Sequence, residues 1–134
     1  MTIMIDTNIL ISAALFPDGT ASKAFQKSLM PPFEPVVCDY IIDELRRKFH
    51  EKFAEQTAAL ETFLETASPA IRIVAVPLKP LAHEKKIRDA KDRPILRAAL
   101  AAHVDFLLTG DKDFLEAAIV KPKIVSAAEF LSMP

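Results

Sequence analysis

The chain predicts an α/β fold in which helices cover both faces of a parallel sheet, and two observations carry that prediction. Short apolar segments rich in Val, Ile and Leu recur along the chain, each separated from the next by a helical pattern. Parallel strands need such crossover connections, which normally run right-handed, so the result is three layers around a central sheet of four to five strands. The second observation is that two of these segments run straight into an aspartate, Asp6 and Asp111. In parallel sheets the carboxyl ends of the strands, at the point where strand order reverses, are where ligands bind.

The elements follow in order. Met1 to Asp6 reads as a buried first strand, and Asp6 interrupts an apolar run that continues to Ile11. Thr20 to Met30 predicts a helix with Thr20 as cap, Ala21, Ala24, Phe25, Ser28 and Leu29 inward, and Pro31-Pro32 as terminator. Pro35 to Cys38 is a second strand. A helix starting at Cys38 or Asp39 runs to about Phe49, and a further helical stretch from Glu51 to Ala67 sets Phe53, Leu60, Phe63, Leu64 and Ala67 on one face. Ile71 to Val76, β-branched and closed by Pro77, is a third strand. The polar stretch to Lys91 is a connection with at most a turn of helix. Asp92 to His103 predicts an Ala/Leu-rich helix, with Pro94 in the first turn, where its missing N–H does no harm. Val104 to Thr109 is a fourth strand, Asp111 to about Ala118 a short helix, Lys123 to Val125 a fifth strand and Ser126 to Leu131 a last helix.

At 134 residues, with 51% hydrophobic and 26% charged residues, the chain (1–134) has the length and composition of one globular domain. A lone cysteine, Cys38, excludes an internal disulfide framework and a Cys-cluster metal site. The start of the chain lacks a basic region and a long uninterrupted apolar stretch, so a cytoplasmic protein without a membrane segment is expected. A net charge of −1 offers no global attraction for nucleic acid, which leaves that role to local basic groups.

Four carboxylates stand apart from the solvated charges: Asp6 in its apolar run, Glu44 within Ile41-Ile42-Asp43-Glu44-Leu45, Asp92 at the head of a helix and Asp111 after the fourth strand. An ionised group removed from water costs several kcal/mol or more unless a partner compensates. Acids gathered at one sheet edge repel one another and need protons or cations. All-oxygen ligation with open water positions suits Mg²⁺ or Mn²⁺, and the matching chemistry is phosphodiester hydrolysis assisted by one ion, or by two about 3.5–4 Å apart. Thr7, Asn8 and Thr109 lie beside the acids and can orient water there.

Each acid also has a structural reading. Asp92 and Asp111 are placed to cap helices, worth about 1 kcal/mol. Glu44 can be a helix surface charge, and Asp6 can cap the next segment or pair with a buried arginine. The basic groups Arg46-Arg47-Lys48, Lys85-Lys86-Arg88 and Lys91-Arg93 suit solvated faces, yet they flank Glu44 and Asp92 as a phosphate-binding surface would. His50, His83 and His103 lack ligand spacing, Cys38 reads as a small buried residue, and there is no glycine-rich phosphate loop. A phospho-acceptor domain using Asp6 as nucleophile needs a second aspartate two residues on, where Asn8 stands.

Taken together, Ile5-Asp6-Thr7-Asn8, Asp43-Glu44-Leu45, Asp89-Ala90-Lys91-Asp92-Arg93 and Leu108-Thr109-Gly110-Asp111-Lys112-Asp113-Phe114 make the chain resemble the PIN-domain family of metal-dependent nucleases, in the branch of VapC-type toxins. The resemblance implies an acidic quartet at Asp6, Glu44, Asp92 and Asp111, with Asp113 as an auxiliary metal-binding acid and Asp89 as rival for the third position. It also implies a divalent metal (Mg²⁺ or Mn²⁺), a PIN-like sheet between helical layers, and single-stranded RNA as substrate; from their places beside the acids, residues such as Arg46, Lys91 and Arg93 are expected to contact its phosphate backbone. The partners it implies are a small antitoxin protein and a second copy of the chain. A non-catalytic PIN module that binds RNA or protein is the alternative. The sequence departs from the family pattern at His103-Val104, where glycine is usual, and at Cys38, where the following helix often begins with serine.

Overall fold

In a computed structural model describing residues 1–134, five parallel strands form one sheet in the order β3-β2-β1-β4-β5. They are β1 (Thr2–Ile5), β2 (Glu34–Cys38), β3 (Arg72–Val74), β4 (Phe106–Leu108) and β5 (Lys123–Val125). The helices are α1 (Thr7–Leu15), α2 (Thr20–Ser28), α3 (Asp39–Lys52), α4 (Thr57–Ala67), α5 (Arg93–Ala101), α6 (Lys112–Leu115) and α7 (Ala127–Ser132). From β1 the chain steps through β2 to β3 on one side, then crosses to β4 and β5 on the other. Right-handed crossovers therefore put α1 to α4 on one face and α5 and α6 on the opposite one. The packing of α1 against α2, α3 and α4 agrees with this.

The predicted α/β architecture is the one observed, and the differences are local. The apolar run from Ile3 to Ile11 holds two elements, because Asp6 ends β1 and caps α1; with no polar periodicity in the run, that helix was invisible in the sequence. Thr20 is the first helical residue, not the cap, which is Gly19, and α2 stops at Ser28. β3 and β4 are shorter than their apolar runs, since only Arg72–Val74 and Phe106–Leu108 pair with neighbours. The helical stretch after Glu51 is broken at Phe53, so α3 extends to Lys52 and α4 begins at Thr57.

A single cluster of buried apolar side chains fills the space between sheet and helices, with Ile3, Met4, Ile5, Val36, Leu107 and Leu108 from the central strands at its middle. Those strands are apolar on both faces because both are covered. The register sets Ile5 beside Leu108, and the Asp6 amide donates to the Leu108 carbonyl at 2.9 Å. The residues that follow β1 and β4 thus emerge side by side at the switch point.

The connection from Pro77 to Asp92 has only short 3₁₀ turns and is held by side chains instead. Arg97 on α5 grips Glu84 in a two-pronged pair (2.8 and 2.9 Å) and donates to the Pro77 carbonyl at 3.0 Å. Glu84 accepts from the Leu81 amide as well, and Arg97 keeps its carboxyl below the usual carboxylate range. Ile87 is fully buried, and Arg93 donates to its carbonyl at 3.0 Å. This stapled segment delivers Asp89 and Asp92 to the sheet edge.

Candidate active site

Asp6 occupies the first position after β1, where the strand hands over to α1. One carboxylate oxygen accepts from the Thr7 amide at 2.8 Å, and the other from the Thr109 hydroxyl at 2.7 Å. Its residue surface is only 4% exposed, and no cation touches it. Burial therefore pushes its carboxyl up to about 6 although both hydrogen bonds pull the other way, and the nearby charges of Glu44 and Asp111 add to the rise.

Glu44 comes from the buried side of α3 and accepts a short hydrogen bond from the Thr7 hydroxyl (2.5 Å). Its only cationic neighbour is Arg47, at 3.9 Å. Asp111 caps α6 by accepting from the Asp113 amide at 2.8 Å, while its own amide donates to the Thr109 hydroxyl at 3.0 Å. Thr109 thus ties Asp6 to Asp111. Capping and cleft lining coincide at Asp6 and Asp111.

Asp92 does not cap α5: its backbone is already helical and its side chain accepts nothing from the first turn. Asp89 takes the local capping role through the Lys91 amide at 3.0 Å, which leaves the Asp92 carboxyl free to point at Asp111. Asp92 is pushed up to about 7, first by burial and then by Asp111, which repels its charge and accepts a hydrogen bond from its protonated form. Oxygens of Asp89, Asp92 and Asp113 lie within 4.8 Å of one another. Asp113 is in addition paired with Arg88 at 2.8 Å.

Asp6, Glu44, Asp89, Asp92 and Asp111 all line one open cleft of about 600 Å³. Thr7 and Asn8 line it too, but the Thr7 and Thr109 hydroxyls are occupied in orienting acids, and Asn8, exposed, meets Lys48 at 3.5 Å. Of Arg46, Lys91 and Arg93, the three residues expected to bind substrate, Lys91 is on the cleft wall. Arg46 is not: it turns toward α4 and pairs with Glu61 at 3.1 Å. Arg93 is engaged with the Ile87 carbonyl and is likewise absent from the wall. The wall also carries Arg47 and Lys48, from the basic group that the sequence sets beside Glu44, and Lys52, which was not singled out. Helical spacing held that signal, since residues three, four and eight beyond Glu44 share its face and Arg46, two beyond, does not.

Tyr40 is the other residue the sequence reading passed over. It stands one turn before Glu44 on α3, lines the cleft, and its hydroxyl donates to the Lys91 carbonyl at 2.6 Å. Burial and the Glu44 charge push its phenol above the ordinary tyrosine value. Cys38, by contrast, is buried at the end of β2 with its thiol pushed up to about 12, and offers no nucleophile.

A parallel sheet with an acidic cleft at its switch point is an arrangement with known counterparts. A family model described as PIN domain matches residues 2–113. The chain belongs to the PIN-domain family, whose members are nucleases. No curated protein matches it significantly. Among solved structures, the fold is similar to VapBC2 from Rickettsia felis bound to a promoter DNA fragment, with TM-score 0.70, 16% identity and coverage of 94% of this chain and 98% of that one. It is also similar to a toxin-antitoxin complex from Klebsiella pneumoniae (TM-score 0.65, 21% identity, 93% and 97% covered). VapC20 from Mycobacterium tuberculosis, described as a sarcin-ricin loop cleaving toxin, is a third (TM-score 0.63, 16% identity, 89% and 97% covered). No helix is long and apolar enough to cross a membrane.

The residues fit a divalent cation. Five carboxylates, Asp6, Glu44, Asp89, Asp92 and Asp111, line the cleft, Asp6 has no cationic partner, and Asp6 and Asp92 hold protons more readily than ordinary aspartates. Hard, oxygen-preferring ions match that donor set.

Proposed function

We propose that this protein is a divalent-metal-dependent endoribonuclease that hydrolyses single-stranded RNA and acts as the toxin of a toxin-antitoxin pair. The observation that carries the reading is the convergence of Asp6, Glu44, Asp92 and Asp111 on one cleft walled by cations. Asp6, Glu44, Asp92 and Asp111 would hold Mg²⁺ or Mn²⁺, with Asp113 beside them. Bound there, such an ion would supply the positive charge and water activation of metal-assisted phosphodiester hydrolysis.

The chain's own residues do the rest. Thr7 and Thr109 orient Glu44 and Asp6 by donating hydroxyl hydrogen bonds to their carboxylates. Arg47, Lys48, Lys52 and Lys91 hold the phosphate backbone along the wall. The likeness to VapBC complexes and to a toxin that cleaves the sarcin-ricin loop supports RNA as substrate and a small antitoxin as partner. A second copy of the chain is proposed as a further partner on the family resemblance alone.

The test is cleavage of single-stranded RNA with Mg²⁺ or Mn²⁺ added or chelated. Asp6→Asn and Asp111→Asn are expected to abolish cutting while RNA binding persists. Charge reversal at Arg47 and Lys48 is expected to weaken binding and flatten its dependence on salt, each lost phosphate contact lowering the log–log slope by roughly 0.7 on a single strand. Absence of metal-dependent cutting by the wild type, with RNA still bound, would make the protein a non-catalytic PIN module.

A further inference from the structure

Along α3 the cleft wall has an order. Tyr40, Glu44 and Arg47 succeed one another at helical intervals of four and three residues, followed by Lys48 and Lys52, so one helix face presents an aromatic ring, an acid and then cations. Tyr40 is the only aromatic residue on the wall. Its ring is half-buried, and its hydroxyl is bound to the Lys91 carbonyl on a cleft wall that also carries Arg47 and Asp92. One part of the side chain packs against the core, which holds the ring in place, and the remainder faces the cleft.

We propose that Tyr40 is a substrate-binding residue on which an unpaired nucleobase stacks while Arg47, Lys48 and Lys91 hold the adjoining phosphates. This rests on the nuclease reading of the cleft and adds to it a preference for strands whose bases are free. Aromatic faces next to cationic grooves bind single strands in this way, because every base has a π-face whereas a duplex hides it. The tether to Lys91 lowers the entropic cost of stacking, since the ring is already ordered before RNA arrives. The same tether links the base to the Asp89–Asp92 segment, so the stacked nucleotide sets where the strand lies relative to the acids.

The sequence makes this directly measurable, because Tyr40 is the only tyrosine and there is no tryptophan. Intrinsic fluorescence therefore reports on Tyr40 alone. The experiment uses the whole chain with chelator present, so nothing is cut, and follows binding of end-labelled oligouridylate by anisotropy and stacking by tyrosine emission. The comparison probes are an abasic ribose-phosphate oligomer of the same length and an RNA duplex. Oligouridylate is expected to reduce the emission by roughly half at saturation, and the abasic oligomer and the duplex to leave it unchanged. Tyr40→Leu is expected to bind oligouridylate about tenfold more weakly and the abasic oligomer as before, while Tyr40→Phe, which keeps the ring, stays within about twofold of wild type. Unchanged emission with oligouridylate bound, or failure of oligouridylate to bind, overturns the proposal, as does equal weakening of both oligomers in Tyr40→Leu. Restoring Mn²⁺ then separates the two ideas: stacking without cleavage removes the nuclease and leaves the stacking site, and cleavage without a change in emission does the reverse.

Discussion

Asp6 holds its proton up to about pH 6 in the folded protein against an ordinary value of 3.8, because burial outweighs the two hydrogen bonds it accepts. The folded state therefore binds more protons than the unfolded chain between those values, and the stability of the metal-free protein falls as pH rises through that window. Asp92, raised to about 7 by burial and by Asp111, acts in the same direction and extends the window upward. For Asp6 alone the difference amounts to on the order of 3 kcal/mol, fully present below about pH 4 and lost by about pH 7. Asp6→Asn keeps an acceptor for the Thr7 amide and offers Thr109 an N–H instead, with no charge to bury. It is expected to leave the metal-free protein at least as stable as wild type at pH 7.5 and to flatten the fall between pH 5 and pH 7.5. Urea midpoints of both proteins at the two pH values in chelator check this, and parallel pH profiles would show that Asp6 is not the group responsible. Asp6 was legible in the sequence because a carboxylate in an apolar run has no packing role. Tyr40 was not, since an aromatic residue in a helix reads as core until its neighbours across the fold are known.

At the level of elements, the end of α5 carries an avoidable strain. Val104 donates to the Ala99 carbonyl and His103 to that of Leu100, both at 3.2 Å, which is the paired-bond helix stop that requires a left-handed residue. That residue is His103, with φ of 53°, exposed and therefore contributing little packing in return. A left-handed non-glycine residue costs about 1–2 kcal/mol, part of which glycine gives back by being more flexible when unfolded. His103→Gly is expected to stabilise the protein by about 0.5–1 kcal/mol and raise Tm by about 2–4 °C, with RNA cleavage unchanged. A lower Tm would mean that the imidazole makes a contact outweighing the backbone strain. The usual glycine here was readable as a departure in the sequence, while its consequence, a strained but intact turn, needed the backbone angles. Element boundaries were legible at β5, expected and observed at Lys123–Val125, and at the Cys38 end of β2, but not at β3, which stops at Val74 ahead of Pro77. They were hidden at α1, where Asp6 serves at once as strand end, helix cap and cleft acid. Arg46 turns away from the cleft, and the sequence did not reveal it for a related reason: charge clusters are visible in sequence, but which member faces the cleft depends on the rotation of α3, which Glu44 defines.

Over the whole molecule the net charge is only −1, yet the charges are not evenly mixed: carboxylates converge on the cleft floor and Arg47, Lys48, Lys52 and Lys91 stand on its wall. The floor destabilises the metal-free fold through burial and mutual repulsion, and the unfolded chain, in which these acids are far apart in water, has no comparable site. A cation bound by the native state alone must then stabilise it by mass action, by about 2.7 kcal/mol when its concentration is a hundred times the dissociation constant. For a chain of this size, that corresponds to a rise in Tm on the order of 5–10 °C. Thermal unfolding at pH 7.5 with Mn²⁺ or Mg²⁺ titrated from a chelated start is expected to show the rise in wild type and a much smaller one in Asp6→Asn, whose remaining acids form a weaker donor set. His103→Gly, at the opposite end of α5 from Asp92, should show the full metal increment on its higher baseline, because its effect lies outside the cleft. No rise in wild type at saturating metal would count against a preformed site. An equal rise in Asp6→Asn would place the ion elsewhere, with the oxygens of Asp89, Asp92 and Asp113 as the next set to substitute.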